Sequence, residues 1–212
     1  MTKHIGIFGG TFDPVHAGHI RCANFVRQYC QLDSVRLMPC HLPPHRASPG
    51  VSAQQRADMV ALAIAKHPTL TLESLELTHD KPSYTVDSLT TLHSQLNDTR
   101  LYFIIGMDSL CYFTKWKNYR QILQLAHLLV CQRPGYDASE GDAPQLLAEY
   151  GEHELSALKQ HAAGKILLLP NPLTDLSATA IRQAVRQGKT CDENTLDPAV
   201  LNYIQAHRLY LD

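Results

Sequence analysis

No apolar segment among these 212 residues is long enough to cross a bilayer, and no Cys-x-x-Cys pair occurs among the six cysteines. That leaves a membrane span and a zinc ribbon without a signal, and it makes scattered Cys22, Cys30, Cys40, Cys111, Cys131 and Cys191 read as reduced, buried thiols. The N-terminus reads as a strand and carries no signal-peptide pattern, so cytoplasmic residence is expected. An excess of charge is also missing. Lys+Arg number 19 and Asp+Glu 20, a formal net charge of −1, so there is no general basic field for nucleic acid or membrane, and any anion site must be built locally. There is no internal repeat and no low-complexity tract. The Gly-x-Gly-x-x-Gly fingerprint is absent too, which speaks against a hydride-transferring dehydrogenase. What is present is 44% hydrophobic content, enough to bury one real core.

The most informative stretch is residues 5–20, IGIFGGTFDPVHAGHI. A short apolar run stops at Gly9-Gly10, an irregular loop carries Thr11, Asp13 and Pro14, and an apolar-periodic helix starts near His16 to Gly18. Adjacent glycines let backbone approach a bulky anion and take dihedrals that a Cβ forbids. A helix start behind them adds unpaired N–H groups and the positive end of a dipole. His16 and His19, three apart, project from one side of the first turn. Together these are the parts of a polyphosphate site. Half of a metal site is the competing reading, but zinc needs a third ligand, and no Glu sits beside these histidines as in His-Glu-x-x-His.

Along the chain, residues 18–31 read as an amphipathic helix and 35–38 as a short strand. The loop 40–50 is dense in Pro and carries His41, His45 and Arg46; by itself it is a surface loop with a solvated Arg or a ligand loop. Ser52 and Gln55 fit a capping box for a helix to about residue 66, in whose first turn Arg56 reads as solvated or structural. Residues 70–77 alternate as a strand does. In residues 81–92, Pro82 blocks helix, Ser83 or Thr85 can cap, and Val86, Leu89 and Leu92 recur at helical spacing, with N–H groups at Tyr84 and Thr85 facing a small anion.

Residues 101–105, LYFII, form a continuous apolar strand of the doubly covered kind, ending at Gly106-Met107-Asp108, where Asp108 is a helix cap or a ligand residue. Trp116, flanked by two lysines, is the only Trp. A helix over 119–126 and a buried strand over 128–131 lead to Arg133-Pro134-Gly135. Residues 136–164 turn polar around a modest helix near 145–161 and read as an insertion without chemistry. After a last core strand, 165–169, the run LSATAIRQAVRQG has Ser177 as cap, with Thr179 and Arg182 in the first turns; by itself it is an ordinary capped helix or a second anion site. Asp197-Pro198 starts a closing helix. Strands alternating with helices argue an α/β fold, a Rossmann-like doubly wound parallel sheet with helices on both faces. One domain is expected over 1–212: the core over 1–170 and a helical C-terminal portion over 171–212.

The stretch GGTFDPVHAGH resembles the signature of the nucleotidyltransferase superfamily with the His-x-Gly-His motif, and within it the bacterial nicotinate mononucleotide adenylyltransferases. The likeness continues in Pro43-Pro44-His45-Arg46, Ser83-Tyr84-Thr85, Gly106-Met107-Asp108, Trp116, Arg133-Pro134-Gly135 and the Ser-x-Thr-x-Ile-Arg run of Ser177, Thr179, Ile181 and Arg182. One departure is Ala178, where the family often has Ser.

The resemblance implies transfer of AMP from ATP to nicotinate mononucleotide, giving nicotinate adenine dinucleotide and pyrophosphate in NAD biosynthesis. It implies catalytic His16, His19 and Arg182. Gly9, Gly10, Thr11, Phe12, Gly18, Gly106, Asp108, Ser177, Thr179 and Ile181 would contact ATP. His45, Arg46, Tyr84, Thr85, Trp116 and Arg133 would face the mononucleotide; a structural ion pair is the other reading of Arg133. Mg²⁺ is expected on the ATP phosphates, with no dedicated protein metal site. The partners are the two nucleotides, with no nucleic acid and no membrane, for a monomer or small homo-oligomer. A sister enzyme for nicotinamide mononucleotide or phosphopantetheine, and a nucleotide-binding module without turnover, are the alternatives.

Overall fold

The computed structural model describes residues 2–42, 50–78, 82–189 and 191–211. Seven strands run in chain order as β1 (Lys3–Gly10), β2 (Ser34–Pro39), β3 (Leu70–Leu72), β4 (Thr99–Gly106), β5 (Ala126–Cys131), β6 (Gly151–Glu152) and β7 (Ile166–Leu169). They form one sheet in the order β3-β2-β1-β4-β5-β7-β6, and every pairing is parallel. The chain moves outward from β1 through β2 to β3, then returns to lay β4 on the other side of β1. That reversal opens a crevice at the carboxyl ends of β1 and β4, the place where open α/β sheets take ligands.

Helices α1 (Ala17–Tyr29), α2 (Ala53–Ile64), α3 (Thr85–Gln95), α4 (Met107–Leu110), α5 (Tyr119–Leu125), α6 (Ala143–Tyr150), α7 (Leu155–Leu158), α8 (Ala178–Arg186) and α9 (Pro198–Ala206) complete the description. The period of two in β4 decides the layers. Tyr102 and Ile104 enter a cluster with Ala23 and Val26 of α1, Met59 and Val60 of α2, Ile181 of α8 and Val200 of α9. Leu101, Phe103 and Ile105 enter the opposite cluster with Val86, Leu89 and Leu92 of α3 and Ile122 of α5. Both faces are therefore covered, which is why LYFII carries no polar residue.

Two segments depart from the sequence-based expectation. The strand expected over 70–77 stops at Leu72, and a 3₁₀ turn follows over Leu75–Thr78. The cause is Glu73, whose carboxylate pairs with Arg36 at 2.8 Å and accepts from the Leu75 N–H at 3.2 Å, turning the chain out of the sheet. The polar stretch 136–164 is no mere insertion. It supplies edge strand β6, pairing with β7, and buries Ala143, Leu146 and Leu158.

Candidate active site

The loop between β1 and α1 is assembled by its aromatic and imidazole rings. Gly9 and Gly10 stay in the extended strand, contrary to the expected special dihedrals; the left-handed residue is Phe12, with φ 50°. The glycines serve packing instead. A Cβ on Gly10 would meet the Phe12 ring at 3.0 Å, and one on Gly9 the Phe103 ring at 3.1 Å. Phe12, 2% exposed, lies edge-on to His19 with ring centroids 5.1 Å apart, so only its backbone faces the cleft.

His16 caps α1, and its ring stacks on that of His19 at 3.8 Å between centroids. The His16 N–H donates to His19 Nδ1 at 3.2 Å, which leaves the His19 proton on Nε2. Burial, then the charges of Arg133 and Arg21, lower the His16 pKa to about 4. Burial, His16 and Arg133 hold His19 well below the ordinary imidazole range. Both rings are thereby kept neutral at pH 7, each able to donate one directional hydrogen bond. His16 Nδ1 is buried and without a hydrogen-bond partner among the described residues. Gly18 is needed beside them, since a Cβ there would meet the His16 ring at 3.0 Å.

The C-terminal portion closes on this loop. Arg182 Nη1 of α8 donates to the Asp13 carbonyl at 2.6 Å, and Nη2 to Thr179 Oγ1 at 3.3 Å. Ser177 caps α8, its hydroxyl accepting from the Ala180 N–H at 3.2 Å. Ile181 is buried, so like Phe12 it offers backbone alone. Further ties are the Ala17 N–H to the Thr195 carbonyl at 3.0 Å and the Tyr210 hydroxyl to Asp13 Oδ1 at 2.8 Å.

At the ends of β4 and β5, Asp108 pairs with Arg133 at 2.9 Å, while Asp108 Oδ1 is buried without a partner among the described residues. Gly106 makes this possible, because a Cβ would stand 2.4 Å from that oxygen. Further along the rim, Tyr84 caps α3 without a side-chain bond to the first turn, and Thr85 opens the helix. Half-buried Trp116 sits edge-on to Phe103 at 6.2 Å and tilted against Phe113 at 5.3 Å, packing on the same cluster as Tyr84. Lys117 bridges the two segments, 4.5 Å over the Tyr84 ring and 2.9 Å from Asp87. The expected residues His45 and Arg46 lie outside the described residues.

Of the two readings of Arg56, solvated or structural, the structural one holds. It is 1% exposed and donates to the carbonyls of Thr11 at 2.6 Å, Cys40 at 2.6 Å and His41 at 3.0 Å, locking the β1 loop to the segment after β2. Its position was legible: Arg56 falls on the stripe of Met59, Val60 and Ala63, where a solvated side chain would not sit. Asn171 was passed over. It accepts from the Gln132 N–H at 2.7 Å and donates to the Gln132 carbonyl at 3.3 Å, latching the ends of β5 and β7.

This geometry agrees with what the chain is similar to. A family model described as cytidylyltransferase-like matches residues 7–184. A protein of Cellvibrio japonicus named "Probable nicotinate-nucleotide adenylyltransferase" is 43% identical over 212 residues, 99% of this chain and 100% of the relative. The chain belongs to the nicotinate-nucleotide adenylyltransferase family. An Aeromonas hydrophila protein of the same printed name is 42% identical over 97% of this chain and 96% of its own length. Among solved structures, the Plasmodium falciparum nicotinic acid mononucleotide adenylyltransferase complexed with NaAD superposes with a TM-score of 0.73 at 18% identity, covering 98% of this chain and 97% of that one. That likeness carries the fold of this family member, a parallel α/β sheet.

Proposed function

We propose that this chain transfers AMP from ATP to nicotinate mononucleotide, releasing pyrophosphate and forming nicotinate adenine dinucleotide for NAD biosynthesis. The observation that carries the reading is the bond from Arg182 to the Asp13 carbonyl, 2.6 Å, which joins the histidine loop to the start of α8. One triphosphate would span the two: backbone of Gly9, Gly10, Thr11 and Phe12 with His16, Gly18 and His19 at the α-phosphate, Ser177, Thr179, Arg182 and the Ile181 backbone at the β- and γ-phosphates. Gly106 leaves room for Asp108, whose unpartnered oxygen suits a ribose hydroxyl.

The acceptor phosphate is largely ionised at neutral pH, its second pKa being about 6. No general base is needed, and the protein's task is alignment and charge stabilisation. The His19 Nε2–H donates to a non-bridging oxygen as charge builds, and Arg182 holds the departing pyrophosphate. On the acceptor side, the N-cap Tyr84 leaves the first N–H groups of α3 to an outside carboxylate, and Trp116 covers the pyridine. Arg133, held by its ion pair with Asp108, would turn its remaining N–H donors toward the mononucleotide, and His45 and Arg46, outside the described residues, are assigned to the acceptor by the motif alone.

Mg²⁺ carried on the ATP phosphates would neutralise part of their charge. Among the described residues no group of three or more His, Cys, Asp or Glu side chains stands together to hold an ion. The unit works as one domain over 1–212. Six free thiols accord with a cytoplasmic setting.

The test is steady-state pyrophosphate release with nicotinate and nicotinamide mononucleotides. The expected result is a kcat/KM at least roughly tenfold higher for the nicotinate form, about 1.4 kcal/mol of discrimination. Comparable values would remove the acceptor assignment, and no release with either would remove the activity.

A further inference from the structure

Cys22 and Cys131, 109 positions apart, bring their sulfurs to 3.2 Å and share a hydrogen bond. Cys22 lies on α1, one turn beyond His19, and is half-buried; Cys131 is the last residue of β5 and is buried. The hydrogen bond shared with Cys131 holds the Cys22 thiol below its ordinary range, and the same bond, then burial, raises that of Cys131. The other four thiols, Cys30, Cys40, Cys111 and Cys191, are all pushed up, chiefly by burial. A more exposed nucleophilic sulfur thus faces a sheltered resolving one, the arrangement of an oxidisable dithiol.

We propose that Cys22 and Cys131 are a peroxide-oxidised pair that closes to a reversible disulfide between α1 and the end of β5, slowing adenylyl transfer while it lasts. The Cys22 thiolate attacks a hydroperoxide oxygen; the S–O bond forms, the O–O bond breaks, and hydroxide (or the alkoxide) leaves. The Cys131 thiol then gives up its proton, attacks the sulfenic sulfur and expels water. Two electrons pass from the pair to the peroxide, and an external dithiol reverses the step.

A disulfide is about 2.05 Å long, so the sulfurs must close by about 1.2 Å. Cys22 moves with the helix that carries His16 and His19, and Cys131 with the strand end that leads to Arg133. A shift of that size between groups facing one phosphate is on the scale that costs about a hundredfold in rate.

The test treats the reduced, full-length enzyme with hydrogen peroxide, blocks free thiols and maps peptides. Expected are a Cys22–Cys131 peptide lacking two hydrogens, turnover down roughly tenfold or more, and recovery with dithiothreitol. Cys22→Ser and Cys131→Ala should keep basal turnover and be indifferent to peroxide. Should Cys131→Ala fail to fold, Cys22→Ser alone decides. No bridge, or a bridge through another cysteine, overturns the site; a mapped bridge with unchanged turnover overturns its link to catalysis. The peptide map reads the bridge even if the substrate assignment is wrong, so the two readings fail separately.

Discussion

Arg182 donates to the main-chain carbonyl of Asp13 at 2.6 Å while standing 3.8 Å from the Asp13 carboxylate, so a side chain of α8 is tied to the loop that presents His16 and His19. One guanidinium therefore fixes the gap between the two stretches proposed to hold the triphosphate, with partners 169 positions apart. Arg182→Ala is expected to lower kcat by about a hundredfold, the usual cost of losing a transition-state donor. Arg182→Lys should recover only part of it, because a point charge cannot serve the Asp13 carbonyl and a phosphate together. Steady-state kinetics with ATP varied check this, and a lysine variant at wild-type kcat would contradict it.

Trp116 packs edge-on to Phe103 and tilted against Phe113, on the part of the rim proposed for the acceptor. Trp116→Ala should raise KM for the mononucleotide about tenfold or more, the scale of a lost aromatic contact with its buried area, and leave KM for ATP nearly unchanged. Kinetics with each substrate varied in turn provide the check. A rise confined to ATP would mean that the indole serves the other substrate.

For Arg56, the expected outcome is first one of stability. Arg56→Met removes the donors to three loop carbonyls and leaves those acceptors unsatisfied, a loss of roughly 2–4 kcal/mol. Urea denaturation measures it. The folded fraction should also show a raised KM for both substrates, because Thr11 and the segment after β2 lose their common anchor. A destabilised variant with unchanged KM values would reduce Arg56 to a purely structural residue.

Much of this architecture was legible in the sequence because its strongest patterns are local. LYFII reads as a doubly covered strand from apolar content alone, Ser52 with Gln55 forms the expected capping box, and Ser177 and Asp197 cap the expected helices. Two of the failures share one physical source, partners distant in the chain. Glu73 ends β3 because Arg36 of β2 is beside it, and nothing near residue 73 says so. The segment 136–164 adds an edge strand only because β7 offers a free edge. Phe12, not a glycine, takes the left-handed backbone because burial of its ring against Phe8 and His19 outweighs the local cost. The motif residues were found as types in order, but the ties of Arg56, Asn171 and Tyr210 could be seen only in three dimensions.

His127 gives the fold a defined response to acid. It is fully buried, Nδ1 accepts from the Lys165 N–H at 3.3 Å, and Nε2 donates to the His161 carbonyl at 3.2 Å, so the neutral ring is satisfied on both sides. Burial first, with Arg100, His161 and His4 nearby, lowers its pKa from 6.5 to about 4 despite the opposing bond to His161. As pH falls, the unfolded chain takes up this proton before the folded one. The contribution, roughly 3 kcal/mol, is intact above pH 6.5 and lost as pH drops to about 4. Urea midpoints of wild type and His127→Gln across that window should show a smaller decline in the variant. Ring-proton NMR of the wild type should place the His127 midpoint near 4, and titration near 6.5 would contradict the assignment.

The most direct measurement is a crystal structure of the enzyme with a non-hydrolysable ATP analogue. A single triphosphate is expected, with an α-phosphate oxygen within about 3.2 Å of His19 Nε2 and a β- or γ-phosphate oxygen equally close to the Arg182 guanidinium or the Thr179 hydroxyl. A triphosphate that meets only one of these two stretches, with the other facing solvent, would contradict it.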